Sequence, residues 1–168
     1  MLRDATIDDT EMLFLWRNSD EIRSMLFSQD VIAFETHKHW LRCGLDSSTK
    51  YLFIYEEAEP CGFAQLDRVS ADRKTFEWGF YKAPSAPQGV GERMLRELLH
   101  HVFQSIGAQE VIGKVLTFNT VSMNLHRKLG FELRKMDREK VSQPERTYDV
   151  AVFVLTQELY KKSNGGQK

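Results

Sequence analysis

Three strand-like runs stand in the middle of this chain, Tyr51–Tyr55, Gly62–Val69 and Thr75–Tyr81, separated by turn residues such as Glu59-Pro60. Their order and spacing predict an antiparallel meander. Pro84 and Pro87 end it, because proline gives no N–H to a ladder. Ahead of the meander, Leu2–Ile7 reads as a strand. Asp8–Glu11 has the spacing of a capping box, and Met12, Leu13, Leu15 and Trp16 form the apolar side of a short helix. Ser19–Phe27 and Glu35–Leu45 read as two more helices, with a turn at 46–49. Beyond the meander, Met94, Leu95, Leu98, Leu99, Val102, Phe103 and Ile106 recur at helical spacing along one face. Val111–Leu116 reads as a buried strand. A helix opening at Asn119 follows, then strands Phe131–Lys140 and Thr147–Leu159. The pattern predicts one mixed α/β domain over residues 1–160, with residues 161–168 as a loose C-terminal tail.

Bulk properties narrow the function classes. The chain has 168 residues, 42% hydrophobic and 28% charged, as a globular domain does. A net charge of −1 argues against nucleic acid as a partner, since displacing phosphate counterions needs a cationic surface. Cys43 and Cys61 lie far apart with no ligand neighbourhood, which suits reduced structural thiols, and no metal is expected. No apolar leader follows Arg3, and no run approaches the ~20 residues of a membrane span. The expectation is a cytoplasmic protein with no membrane partner.

The segment richest in chemistry is Asn119-Thr-Val-Ser122-Met-Asn124-Leu125-His126-Arg-Lys128-Leu129-Gly130-Phe131. A short helix runs into Gly130, where left-handed backbone angles are needed, and then into a strand. A second segment, Ser85-Ala86-Pro87-Gln88-Gly89-Val90-Gly91-Glu92-Arg93, puts Gly-x-Gly between a strand and a helix. Such a turn can offer backbone N–H groups and a helix dipole to an anion. A dinucleotide fingerprint is excluded, because its last glycine position holds Met94.

Together these segments resemble the acyl-CoA motifs of the GNAT N-acetyltransferase superfamily: Asn-x-x-Ala/Ser-x-x-Leu-Tyr-x-Lys-Leu-Gly-Phe and Gln/Arg-x-x-Gly-x-Gly/Ala. Two positions depart. Ala86 replaces the leading Gln/Arg, and His126 replaces the tyrosine that protonates the departing thiolate. The resemblance implies a single-domain α/β (α+β) GNAT fold, a mixed, mostly antiparallel sheet with helices on both faces and a splayed strand pair for acetyl-CoA. It implies Trp78, Gly79, Phe80, Gln88, Gly89, Val90, Gly91, Glu92, Arg93, Asn119, Asn124 and Lys128 as cofactor contacts, and a backbone N–H near Phe80 polarising the thioester carbonyl. Glu77 is a candidate general base and His126 a candidate general acid, with Tyr81 beside them. Read from the residues alone, Glu77 equally suits a solvated or cross-strand charge.

In the N-terminal third, Trp16-Arg17-Asn18, Met25-Leu-Phe27 and His37-x-x-Trp40 suit either core packing or recognition of a nucleotide. With Gly79-Phe80-Tyr81-Lys82-x-Pro84, they resemble the acetyltransferases of flagellin glycosylation in the bacterial flagellum. Those acetylate the 4-amino group of UDP-4-amino-4,6-dideoxy-N-acetyl-β-L-altrosamine in pseudaminic acid biosynthesis. That resemblance implies a small-molecule nucleotide-sugar substrate held by Arg17, Asn18, Met25, Phe27, His37, Arg68 and Tyr81, and it leaves a homodimer open. Rival expectations are a ribosomal-protein N-terminal or polyamine acetyltransferase, and a non-catalytic acetyl-CoA sensor.

Overall fold

The computed structural model describes residues 1–70, 74–141 and 146–164. A seven-stranded sheet crosses the molecule in the order β1-β2-β3-β4-β5-β7-β6. Its strands are β1 (Leu2–Asp4), β2 (Lys50–Glu56), β3 (Pro60–Ser70), β4 (Thr75–Lys82), β5 (Glu110–Leu116), β6 (Glu132–Val141) and β7 (Arg146–Thr156). The helices are α1 (Thr10–Asn18), α2 (Asp20–Arg23), α3 (Phe34–Leu45), α4 (Val90–His101), α5 (Thr120–Lys128) and α6 (Gln157–Asn164). Neighbouring strands are antiparallel except β4 and β5, which α4 connects in parallel.

Both faces of the sheet are covered. On one face Leu52, Ile54 and Phe63 pack with Leu13 of α1 and Leu41 of α3. On the other, Phe53, Tyr55, Ala64, Leu66, Phe76 and Trp78 pack against Met94, Leu95, Leu98 and Leu99 of α4. Strand periodicity thus sorts β2 residue by residue between two cores, which is why Tyr51–Tyr55 reads as nearly continuous apolar sequence. The apolar stripe expected on α4 is buried, although from Val102 to Ile106 the helix widens into a π-turn before Gly107 closes it at φ 73°.

The pairing of β4 with β5 positions the site. It runs through Thr75–Glu110, Phe76–Val111, Glu77–Ile112 and Trp78–Gly113, and then stops. Past that point β4 stays paired with β3, and β5 with β7. The two strands diverge into a V whose apex is Trp78–Gly113, the splayed strand pair expected from the sequence.

Several local expectations need correction. The cap expected at Asp8–Glu11 forms two residues earlier, at Thr6–Asp9: the Asp9 carboxylate accepts from the Thr6 backbone N–H at 2.8 Å and is held by both terminal nitrogens of Arg3. Leu15 is exposed rather than apolar-packed. The helix expected over Ser19–Phe27 is the single turn of α2, and the chain then loops to α3. The strand expected to reach Leu159 ends at Thr156, and α6 follows. There Tyr160 stacks on Phe103 with ring centroids 4.6 Å apart. The first four residues of the expected tail, 161–164, are therefore helical, and 165–168 lie outside the described residues. Among the described residues no helix is long and apolar enough to cross a membrane.

Candidate active site

A cavity of about 500 Å³ opens at the V and continues between the sheet and α1–α3. Alternation along β4 divides its wall. Trp78 and Phe80 turn toward α5, where both rings lie near His126. Tyr81 turns the other way and packs on Phe63 at 5.1 Å, in the layer of α1 and α3. Arg17, Met25, Phe27, His37, Glu77, Gly79, Asn119 and His126 also line the space.

Asn119 caps α5, its Oδ1 accepting from the Ser122 N–H at 3.0 Å. This fixes the helix that carries His126, which is only 1% exposed. Nδ1 of His126 lies 2.8 Å from the Ser122 carbonyl oxygen, and the Trp78 indole N–H points at Nε2 from 3.0 Å. A carbonyl can only accept and an indole N–H can only donate, so the proton sits on Nδ1 and Nε2 is the acceptor. Burial lowers the pKa of His126 to about 4, against the opposing pull of the Ser122 carbonyl. At neutral pH the ring is uncharged and both nitrogens are engaged. That arrangement does not fit the general-acid role expected for it. Tyr81 is the contrasting group: burial pushes its phenol well above the usual range, so its hydroxyl keeps its proton.

Glu77 lies beside the V, 3.4 Å from Lys114 Nζ. Lys114 also reaches Glu139 at 3.4 Å. Burial opposes the lysine's charge, but the two carboxylates outweigh it and hold its pKa above the ordinary value. At the far end Arg17 and His37 are buried, 8% and 3% exposed. Nη2 of Arg17 donates to the Ser28 carbonyl, while its Nη1 and Nε2 of His37 have no partner among the described residues. Burial lowers the pKa of both groups, and the Arg17 charge depresses His37 further.

The remaining expected residues fall into three places. Asn18 lies behind the cavity wall: its amide exchanges two 2.9 Å hydrogen bonds with the backbone of Ile32 and so pins the loop that presents Met25, Phe27 and Ser28. Arg68 is not a lining residue. It shares strand parity with Ala64 and Leu66, which face α4, so it stands on the wrong side of the sheet for a pocket under α1–α3.

Gln88–Arg93 forms the expected turn at the head of α4, outside the cavity. Gly89 caps the helix at φ 84°, and a Cβ on Gly91 would meet nothing nearer than Leu125 at 3.9 Å. The first turn of a helix leaves N–H groups without helical partners, so the backbone here fits a pyrophosphate. The side chains are occupied differently. Arg93 pairs with Glu57 at 2.7 Å, and Glu92 is shared between Arg96 and Lys128. Asn124 accepts from Arg127 on the exposed side of α5. What this turn offers an anion is its backbone, since the side chains of Glu92, Arg93 and Asn124 are engaged with other side chains.

A V-shaped gap with an anion-suited turn on one side and a capped Asn helix on the other invites comparison with known proteins. Residues 1–132 match the model of the acetyltransferase (GNAT) domain. The chain belongs to the GNAT acetyltransferase family. The SPbeta prophage-derived N-acetyltransferase YokL of Bacillus subtilis (strain 168) is 27% identical over 131 residues, covering 76% of this chain and 73% of that protein. Among solved structures, the spermidine N-acetyltransferase of Vibrio cholerae in complex with CoA and spermine superposes with a TM-score of 0.87 at 18% identity, over 95% of this chain and 96% of that one. The ribosomal-protein-alanine N-acetyltransferase of Brucella melitensis gives a TM-score of 0.78 at 20% identity, over 93% and 99%.

Sequence reasoning did not pick out Phe63, Gln65 or Lys114 as lining residues. Parity along β3 was the available signal for two of them: Phe63 and Gln65 alternate onto the face that Arg68 avoids.

Proposed function

We propose that this GNAT acetyltransferase moves the acetyl group of acetyl-CoA onto a primary amine carried by a small anionic molecule. The finer reading is the 4-amino group of a UDP-linked 4-amino-4,6-dideoxy sugar. The observation that carries it is the pair Arg17 and His37. A buried guanidinium nitrogen and a buried imidazole nitrogen, both unpartnered, line one end of the cavity. Burying such groups without partners is costly, and a ligand phosphate or carboxylate would satisfy both. A polyamine is a poor match, because the cationic Arg17 and Lys114 oppose Glu77 as the lining carboxylate.

In this reading acetyl-CoA lies along the V with its pyrophosphate at the Gly89 turn. The unpaired edge of β4 from Gly79 onward faces the thioester. The acceptor enters from the α1–α3 side, and its amine attacks the carbonyl carbon. The C–S bond breaks as the amide forms. The amine's proton leaves to Glu77 or to water, and the CoA thiolate is reprotonated. Of the two candidates for that proton, Tyr81 has a hydroxyl to give and His126 does not.

The test is mass spectrometry of reactions with acetyl-CoA and, in parallel, the UDP-4-amino sugar, a ribosomal N-terminal peptide and spermidine. One acetyl gained on the sugar nucleotide supports the proposal. Acetylation of peptide or spermidine alone overturns the acceptor and keeps the enzyme. Unchanged acetyl-CoA with every amine favours a sensor.

A further inference from the structure

The apex of the V holds a feature that acetyl transfer in this site leaves unexplained. Gly113 is the last β5 residue paired with β4, and a Cβ there would sit 2.2 Å from His126 Nε2 and 2.7 Å from Trp78 Nε1. The Nε2–Cδ2 edge of the imidazole therefore lies against the point where the strands part. The imidazole is packed against rings from three places: Trp78 and Phe80 on β4, Phe153 on β7 at 5.1 Å, and Phe131, between α5 and β6, at 5.1 Å. Phe153 is the β7 residue opposite Gly113. One ring thus touches β4, β5 and β7 together, while its nitrogens bond α5 on one side and Trp78 on the other.

We propose that His126 is a positioning residue, a wedge that sets the opening of the V and with it the place of the thioester against the free edge of β4. Gly113 is part of the same device, because only a residue without a side chain leaves room for the ring. The inference rests on acetyl-CoA lying in the V, as in the function proposed above. It differs from an acid role in what the nitrogens do: the wedge needs a donor at Nδ1 and an acceptor at Nε2, and it gives up no proton.

Long-range proton–nitrogen NMR on the wild-type protein at pH 7 reads the tautomer directly. The wedge requires Nδ1 protonated and Nε2 bare. Kinetics then separate position from chemistry. Trp78→Phe removes the indole donor together with part of the buried ring, and His126→Phe keeps a ring but no nitrogens. In each, KM for acetyl-CoA is expected to rise roughly tenfold or more, the scale for breaking a buried hydrogen bond. The double variant is expected to be little worse than either single one, and His126→Gln, which keeps an acceptor for Trp78, to recover part of the loss. A proton on Nε2 overturns the proposal. So does a fall in kcat with unchanged KM in His126→Phe while Trp78→Phe is silent. If His126→Phe does not fold, Trp78→Phe and the NMR measurement decide. Calorimetry of acetyl-CoA with wild-type protein guards the premise: absence of binding defeats the proposed function, whereas the tautomer still reports on the wedge.

Discussion

The indole N–H of Trp78 donates to Nε2 of His126 at 3.0 Å, and the bond settles which form the imidazole takes in the folded protein. Protonating Nε2 would set two N–H groups against each other inside a cage of aromatic rings. The pKa of His126 falls from 6.5 to about 4 on folding. Between those values the unfolded chain binds a proton that the native state refuses, so stability is complete above pH ~6.5 and is lost as pH falls toward 4. The linkage is worth about 3 kcal/mol at most, and the depressed His37 adds to it with the same sign. Urea unfolding from pH 7.5 to 4 should show the decline. His126→Phe should flatten it, and an unchanged slope would contradict the assigned pKa.

Gly113→Ala tests the apex by crowding. The new methyl would fall within 2.7 Å of both Trp78 and His126, and overpacking of this kind costs about 1–3 kcal/mol. Denaturant midpoints should drop accordingly, with acetyl-CoA binding weakened in whatever protein remains folded. A variant as stable as wild type would mean that the rings can shift away.

Gly89→Ala acts at the other end of the acyl-donor site. Its φ of 84° is open to glycine and strained for alanine, by about 1 kcal/mol or more. The added methyl would also meet only the mobile end of Arg93 at 2.8 Å. The expected result is a modest stability loss and a larger rise in KM for acetyl-CoA, with KM for the acceptor amine unchanged. Equal affinity for acetyl-CoA would place the pyrophosphate elsewhere.

His37→Phe separates binding from stability. The substitution removes a buried nitrogen without a partner and keeps a ring between Phe14 and Trp40. Stability should hold or rise, while KM for an anionic acceptor should climb about tenfold. KM for acetyl-CoA should not move. Unaltered acceptor kinetics would remove His37 from the anion site.

Glu77→Gln asks how much base the reaction needs. A sugar amine is less basic than lysine, whose reference pKa is about 10.4, so more of it is neutral near pH 7. The variant should keep appreciable kcat. A loss of about a thousandfold with intact binding would make Glu77 an obligatory base.

The parts of the site legible in the sequence are those where the backbone carries the chemistry. Gly89 and Gly130 have positive φ at the two positions where a turn and a helix end called for glycine. Asn119 caps α5 as its place before a helical pattern suggested. Residue type at a motif position was a poorer guide to His126, because its role depends on Trp78, 48 residues away in sequence. Arg68 misled for a related reason: a strand's two faces look alike until its register fixes which side holds the pocket. Helix α6 was hidden because Gln157–Asn164 continues an apolar strand without proline or glycine at the boundary, and only its packing on Phe103 turns Tyr160 inward.

The seam between β4 and β5 has a consequence for how such a protein can change. Arg17, His37, Gln65 and Tyr81 all lie before the seam in the chain, whereas Gly89, Asn119 and α5 lie after it. Four residue pairs join the two leaves along the sheet. On the function proposed above, the part of the first leaf under α1–α3 can be rewritten around a different amine, while the β4 edge, the Gly89 turn and α5 keep acetyl-CoA in place. The backbone is what this chain shares, at 18–20% identity, with a spermidine enzyme and a ribosomal-protein enzyme.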